Sequence, residues 1–141
     1  MSLCDADLIS IQEARVLARR AKAAQAILAT FNEEQIDRII KNMVRVASEN
    51  AVRLAEMAVE ETGFGKVKDK TTKNRFASVE LYNYIKDMKT IGVIKEDKEK
   101  KVIEIAEPVG VLMGIIPSTN PTSTAIYKSI ISIKSRNGIV F

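Results

Sequence analysis

The stretch Val109-Gly110-Val111-Leu112-Met113-Gly114-Ile115-Ile116-Pro117-Ser118-Thr119-Asn120-Pro121 decides the fold. From Val109 to Ile116 it is apolar without alternation, the pattern of a strand buried on both faces in a parallel sheet. Pro117 to Pro121 then forms a polar turn. Thr122 to Ser135 follows with Ile126, Ile130 and Ile133 at helical spacing. Thr119 or Asn120 can cap that helix, Pro121 suits its first position, and Asn137-Gly138 supplies the stop. Ile139-Val140-Phe141 opens another apolar strand. Strand, polar turn, helix and strand in that order make an α/β unit entering a parallel sheet.

Upstream of Glu107-Pro108 the period changes to two. Ile103 and Ile105 alternate with Val102, Glu104 and Ala106, and Val93 leads into the charged run Lys95 to Lys101. This reads as a hairpin over residues 91–107 whose charged tip blunts its edge. Residues 1–90 read as helices. Leu17, Ala21, Ala24 and Leu28 define one face of a helix from about Asp7 to Ala29, and the small residues suggest close packing on another helix. Arg15, Arg19, Arg20 and Lys22 occupy its solvated side. Asn32 followed by Glu33, Glu34 and Gln35 is a helix start, and Ile36, Ile39, Ile40, Met43, Val44 and Ala47 supply its buried stripe. Ser48 or Asn50 interrupts the run before Leu54, Met57 and Ala58 continue it, and Gly63 and Gly65 end it. Lys66, Lys68, Lys70, Lys73 and Arg75 form a basic cluster read as a solvated loop entering the next helix. The buried side of that helix is assigned to Ala77, Leu81, Tyr84, Ile85 and Met88, with Tyr82 and Tyr84 as core or rim aromatics.

Composition narrows the chemistry. The chain has 141 residues, 46% of them hydrophobic, enough for a real core and against a disordered tail. Lys plus Arg number 22 against 18 Asp plus Glu, a net charge of +4 that is too weak to point to nucleic acid. With no His, neither a His-based zinc site nor a Ser-His-Asp triad can form within the chain. No metal site is expected. The single Cys, Cys4, excludes an intramolecular disulfide and suits a reducing, cytoplasmic setting; its place near the amino terminus argues against a nucleophilic role. No apolar run reaches the roughly 18 to 20 residues of a membrane span.

In open α/β sheets, ligands bind at the carboxyl ends of strands, where helix amino termini present free N–H groups to anions. Ser118-Thr119-Asn120 occupies that position. Three short hydrogen-bonding side chains beside the positive end of a helix suit a pyrophosphate or a developing oxyanion. The same residue types also simply cap helices.

These motifs resemble a family. Glu107-Pro108-Val109-Gly110-Val111, Ile116-Pro117, Asn120-Pro121-Thr122-Ser123-Thr124-Ala125-Ile126, Lys128-Ser129 and Arg136-Asn137-Gly138 resemble the aldehyde dehydrogenase superfamily, closest to its CoA-acylating branch. Lys73-Asn74-Arg75-Phe76-Ala77-Ser78, Lys86-Asp87 and Lys89-Thr90 extend the likeness over nearly the whole chain. The resemblance implies an aldehyde dehydrogenase-like fold, with amino-terminal helices, a hairpin that serves as an oligomerisation element, and from residue 108 to 141 the first part of a Rossmann-like, NAD-binding sheet.

The implied reaction is reversible. An aldehyde adds to a cysteine thiolate, hydride passes to NAD, and CoA rather than water releases the thioester. Many non-acylating members place an oxyanion-binding Asn in a Pro-Trp-Asn-x-Pro turn. In the ungapped register from Pro117 to Pro121 that position is Thr119, whereas Asn120, next to it, carries the amide donor; Ser118 replaces the Trp. Lys128 falls where the family has a Lys near the active site, and the backbone of Ile116, Pro117 and Ser118 would approach the nicotinamide. The family's catalytic Cys belongs to a later segment, so the resemblance implies an amino-terminal portion, inactive alone. A small aldehyde and CoA are the implied partners, with a homo-oligomer and without nucleic acid or membrane. Competing readings are a non-acylating aldehyde dehydrogenase, a glutamyl phosphate reductase-like enzyme, and a helical interaction module.

Overall fold

The computed structural model describes residues 5–141, so Cys4 lies outside the described residues. Helix α1 (Ala6–Leu28) leads to α2 (Glu33–Glu49), whose start is a capping box. The Asn32 side chain accepts from Gln35 N, and the Gln35 side chain accepts from Asn32 N, each at 2.9 Å. Asn50 separates α2 from α3 (Ala51–Thr62), which ends at Gly63 in the left-handed conformation with φ 69°. Next come α4 (Val67–Arg75), a π-helical turn (Phe76–Glu80) and the short α5 (Leu81–Ile85). The core gathers Ile36, Ile40 and Val44 of α2, Ile85 of α5, and Ile130 from the later helix α6 (Pro121–Lys134).

The hairpin forms as expected. Strand β1 (Gly92–Asp97) pairs antiparallel with β2 (Val102–Ala106), Gly92 facing Ala106 and Asp97 facing Val102, with a bulge between Val93 and Lys95. Val93, Ile94, Val102, Ile103 and Ile105 are all exposed, so neither face of the hairpin is covered among the described residues. Strand β3 (Val111–Met113) pairs parallel with β4 (Gly138–Val140), joined by α6. The α/β order read from the sequence is therefore the order of the structure. Lys134 at the end of α6 ties this unit to the helices, with Nζ donating to Asp37 Oδ1 at 3.2 Å and to Lys86 O at 3.0 Å.

Four local expectations need correction. Helix α1 packs on β3 and β4 rather than on another helix. Its contact face is Ala21, Gln25 and Leu28, with Leu17 and Ala24 exposed, because Gln25 donates to Arg136 O at 3.2 Å and turns that side inward. Close approach depends on Gly138, where a Cβ would stand 3.1 Å from Ala21 O.

Tyr84 and Met88 are exposed, Tyr84 by 75%. The π-helical turn inserts about one extra residue into the helix and so shifts the buried phase, bringing Ser78 into the core beside Ala77. The apolar run around β3 is strand only at Val111–Met113, and Val109 is 83% exposed; β3 has β4 on one edge and no second neighbour among the described residues. The stop after α6 is made by Arg136 at φ 53°, not by Gly138. Asn137 instead accepts from Gly110 N at 2.8 Å, and Gly138 enters the strand.

Candidate functional site

The turn sits at the carboxyl end of β3. Gly114 N donates to Val140 O at 2.7 Å, the last tie before the chain leaves the sheet. Asn120 N then closes the turn on Pro117 O at 3.3 Å, and Pro121 begins α6. The first helical bond of α6 is Thr124 N to Asn120 O, so the N–H groups of Thr122 and Ser123 precede the ladder. Lys128, on α6, reaches back toward the helix start as helical side chains do, and its Nζ donates to Ile115 O at 2.7 Å. Ile116 is half-buried, Pro117, Ser118 and Thr119 are exposed, and Asn120 is half-buried.

Helix α4 braces this turn. Lys70 is 5% exposed, and its Nζ donates to Thr119 O at 2.7 Å. Among the described residues Lys70 forms no ion pair, an unusual state for a charge that water no longer solvates. One turn further, Lys73 Nζ donates to Asn120 Oδ1 at 2.9 Å. An ammonium group only donates, so the carboxamide must turn its oxygen to Lys73 and its nitrogen away. Nδ2 has only a long contact to Thr119 Oγ1, 3.4 Å. Asn120 stands at the amino-cap position of α6, yet its side chain makes no cap bond.

Asn74, the next residue, is fully buried. Its Nδ2 donates to Ala51 O at 3.0 Å, and its Oδ1 accepts from Thr122 Oγ1 at 2.8 Å, so a single side chain joins α3, α4 and the first turn of α6. A cleft of about 470 Å³ opens between α4 and α6, lined by Thr72, Lys73, Phe76, Ser123 and Tyr127 among others.

Thr119, Asn120 and Lys128 thus gather around one strand end together with Ile116, Pro117 and Ser118. The basic cluster departs from the expected solvated loop: it lies on helix α4 and its approach, with Lys66, Lys68, Lys73 and Arg75 exposed and Lys70 buried, and Lys70 and Lys73 meet the turn. Lys70, Lys73 and Asn74 are supports that the sequence reading missed. Their i, i+3, i+4 spacing, which puts three polar groups on one helix face, is the signal that could have found them. Among the described residues no group of three or more His, Cys, Asp or Glu side chains could hold a metal ion. No described helix is long and apolar enough to cross a membrane.

Comparison with known proteins finds likeness over 94–99% of the chain. The chain is 49% identical over 132 residues to the bifunctional aldehyde-alcohol dehydrogenase of Escherichia coli, covering 94% of this chain and 15% of that protein. It is 39% identical over 132 residues to the acetylating succinate-semialdehyde dehydrogenase of Clostridium kluyveri, covering 94% of this chain and 28% of the relative. The crystal structure of an acetylating aldehyde dehydrogenase from Geobacillus thermoglucosidasius superposes with a TM-score of 0.93 at 58% identity, over 99% of this chain and 31% of that one. The chain therefore spans less than a third of the length of these relatives. Residues 2–141 match the sequence model of the aldehyde dehydrogenase family, and with the strand, turn and helix arranged as that likeness implies, the chain belongs to this family.

Proposed function

We propose that the chain serves the reversible, NAD-dependent, CoA-acylating oxidation of a short aldehyde, with a nucleophilic cysteine that these 141 residues do not supply. The observation that carries this reading is the turn Pro117–Pro121, held at the end of β3 with the Asn120 amide nitrogen directed away from Lys73. A fixed amide donor beside a helix amino terminus is suited to a carbonyl oxygen gaining charge. Asn120 supplies that donor in this reading, Thr119 adds a hydroxyl next to it, and Lys128 fixes the strand end through Ile115 O. The acylating branch is favoured because the Geobacillus and Clostridium relatives are described as acetylating enzymes.

The residues fit a nicotinamide cofactor. Pro117 and Ser118 are exposed at the strand end, Ile116 is half-buried, and the N–H groups of Thr122 and Ser123 stand free of the helical ladder nearby. Ile116, Pro117 and Ser118 would hold the nicotinamide end. When bound, NAD accepts the hydride and CoA takes the acyl group, so that aldehyde, CoA thiol and NAD⁺ give acyl-CoA, NADH and a proton. The uncovered hairpin is read as an oligomerisation element, and the cytoplasm as the setting.

The test is product analysis with the complete reading frame that encodes this chain. Acetaldehyde, NAD⁺ and CoA should give NADH and a thioester detectable by mass spectrometry. Free acid formed without CoA would make the enzyme a hydrolytic dehydrogenase, and reduction of an acyl phosphate with NADPH would make it a glutamyl phosphate reductase-like enzyme.

A further inference from the structure

We propose that Lys73 is a positioning residue for the reaction: its ammonium orients and polarises the Asn120 carboxamide so that Nδ2 serves as the oxyanion donor. The inference rests on the reading of Asn120 given above. Its physical basis is a contrast within the chain. Asn32 uses its side-chain oxygen as a cap, accepting from Gln35 N at 2.9 Å. Asn120 occupies the same position on α6, but its oxygen is given to Lys73 at 2.9 Å and the cap bond is not made. An asparagine kept for helix stability would make that bond. Here the available acceptor is diverted to a cation on another helix, 47 residues away in sequence.

Two consequences follow from the diversion. Because an ammonium has donors only, the amide cannot flip without facing N–H against N–H, so its nitrogen has one orientation. Positive charge at Oδ1 also draws electron density through the amide and strengthens Nδ2 as a donor. Its one polar contact, Thr119 Oγ1 at 3.4 Å, is long enough to leave that donor available. Lys70 supports the arrangement from the same helix face, holding the adjoining Thr119 carbonyl at 2.7 Å. Both ammonium groups thus meet successive residues of one turn, and neither forms an ion pair among the described residues.

The test is a double-mutant cycle in the product of the complete reading frame. Asn120→Ala should lower kcat by about 100-fold, the loss of an oxyanion donor, and Lys73→Met by about ten-fold with an unchanged thermal midpoint. Lys73→Arg should restore kcat to within about three-fold, since a guanidinium also donates to Oδ1. Lys73→Met added to Asn120→Ala should lower kcat no further. In the same full-length product with ¹⁵N-labelled Asn, Lys73→Met should move the Asn120 side-chain amide resonances, identified by their loss in Asn120→Ala. Lys68→Met, an exposed change on the same helix, should leave them in place.

If Asn120→Ala keeps wild-type kcat, the Asn120 reading fails and this inference with it. If Asn120→Ala is impaired but the two losses multiply, or Lys73→Met is fully active, or Arg fails to restore, or the amide resonances do not move, the positioning role alone is overturned.

Discussion

Asn74→Asp replaces a buried side chain by one of nearly the same shape and should make stability depend on pH. In the native protein Nδ2 of Asn74 donates to Ala51 O at 3.0 Å, and Ala51 is itself buried, so water cannot take over that bond. A carboxylate there would set oxygen against oxygen. Burial of an unpaired charge is expensive enough that the group protonates instead, raising its folded pKa above the ordinary aspartate value of about 3.9. Protonated, the new carboxyl can donate to Ala51 O and still accept from Thr122 Oγ1. The variant should therefore approach wild-type stability near pH 4 and lose it as pH rises. Each pH unit between the unfolded and folded pKa values removes about 1.4 kcal/mol. Urea denaturation of both proteins at pH 5 and pH 7 checks this, with the wild type correcting for every other titration. The destabilisation should be larger at pH 7 by about 2–3 kcal/mol. A difference that does not change with pH, or a variant as stable as the wild type at pH 7, would refute the bond assigned to Asn74 Nδ2.

Three other substitutions probe separate parts of the fold and the site. Gly138→Val puts a branched carbon 3.1 Å from Ala21 O and 3.2 Å from Gln25 Cβ. It should lower stability by about 1–3 kcal/mol and free α1 for proteolysis, measured by urea titration and limited trypsin digestion. Asn32→Ala removes one half of the capping box and should cost about 1 kcal/mol by the same denaturation assay. Lys128→Met deletes the exposed bond to Ile115 O, so stability should change by less than about 1 kcal/mol. With the strand end no longer held, kcat/KM for the aldehyde should fall by about ten-fold in steady-state assays.

The features legible in the sequence are those decided within a few residues. Asn32 with Gln35, Gly63, Pro121, the hairpin around Lys98 and the strand-turn-helix order all follow from local geometry, and the structure has each of them. What escaped depends on contacts distant in the chain. The inward face of α1 is set by Gln25 reaching Arg136, 111 residues away, which no helical period reveals. The π-helical turn at Phe76–Glu80 displaced the expected face of Tyr84, since a 3.6-residue pattern cannot register one extra residue, and Met88 lies beyond α5, which ends at Ile85. Val109 and Ile115 are exposed although their apolar run reads as buried, because the sheet of the described residues places one neighbour beside β3.

The site divides in the same way. Asn120, Thr119 and Lys128 are candidates proposed from the turn and the family likeness, whereas the sequence alone does not distinguish Lys70 and Lys73 from any solvated basic cluster; their contacts with the turn depend on how α4 packs. Charge predicts solvent for both, which holds for Lys73, while Lys70 is buried against Thr119 O.

Transfer of deuterium from a 1-deuterated aldehyde tests the central claim most directly. Incubated with NAD⁺ and CoA, the product of the complete reading frame should place the label in the reduced nicotinamide and leave an unlabelled acyl-CoA thioester, with no turnover when CoA is omitted. Label retained in the acyl product, or a free carboxylate formed at full rate without CoA, would contradict it.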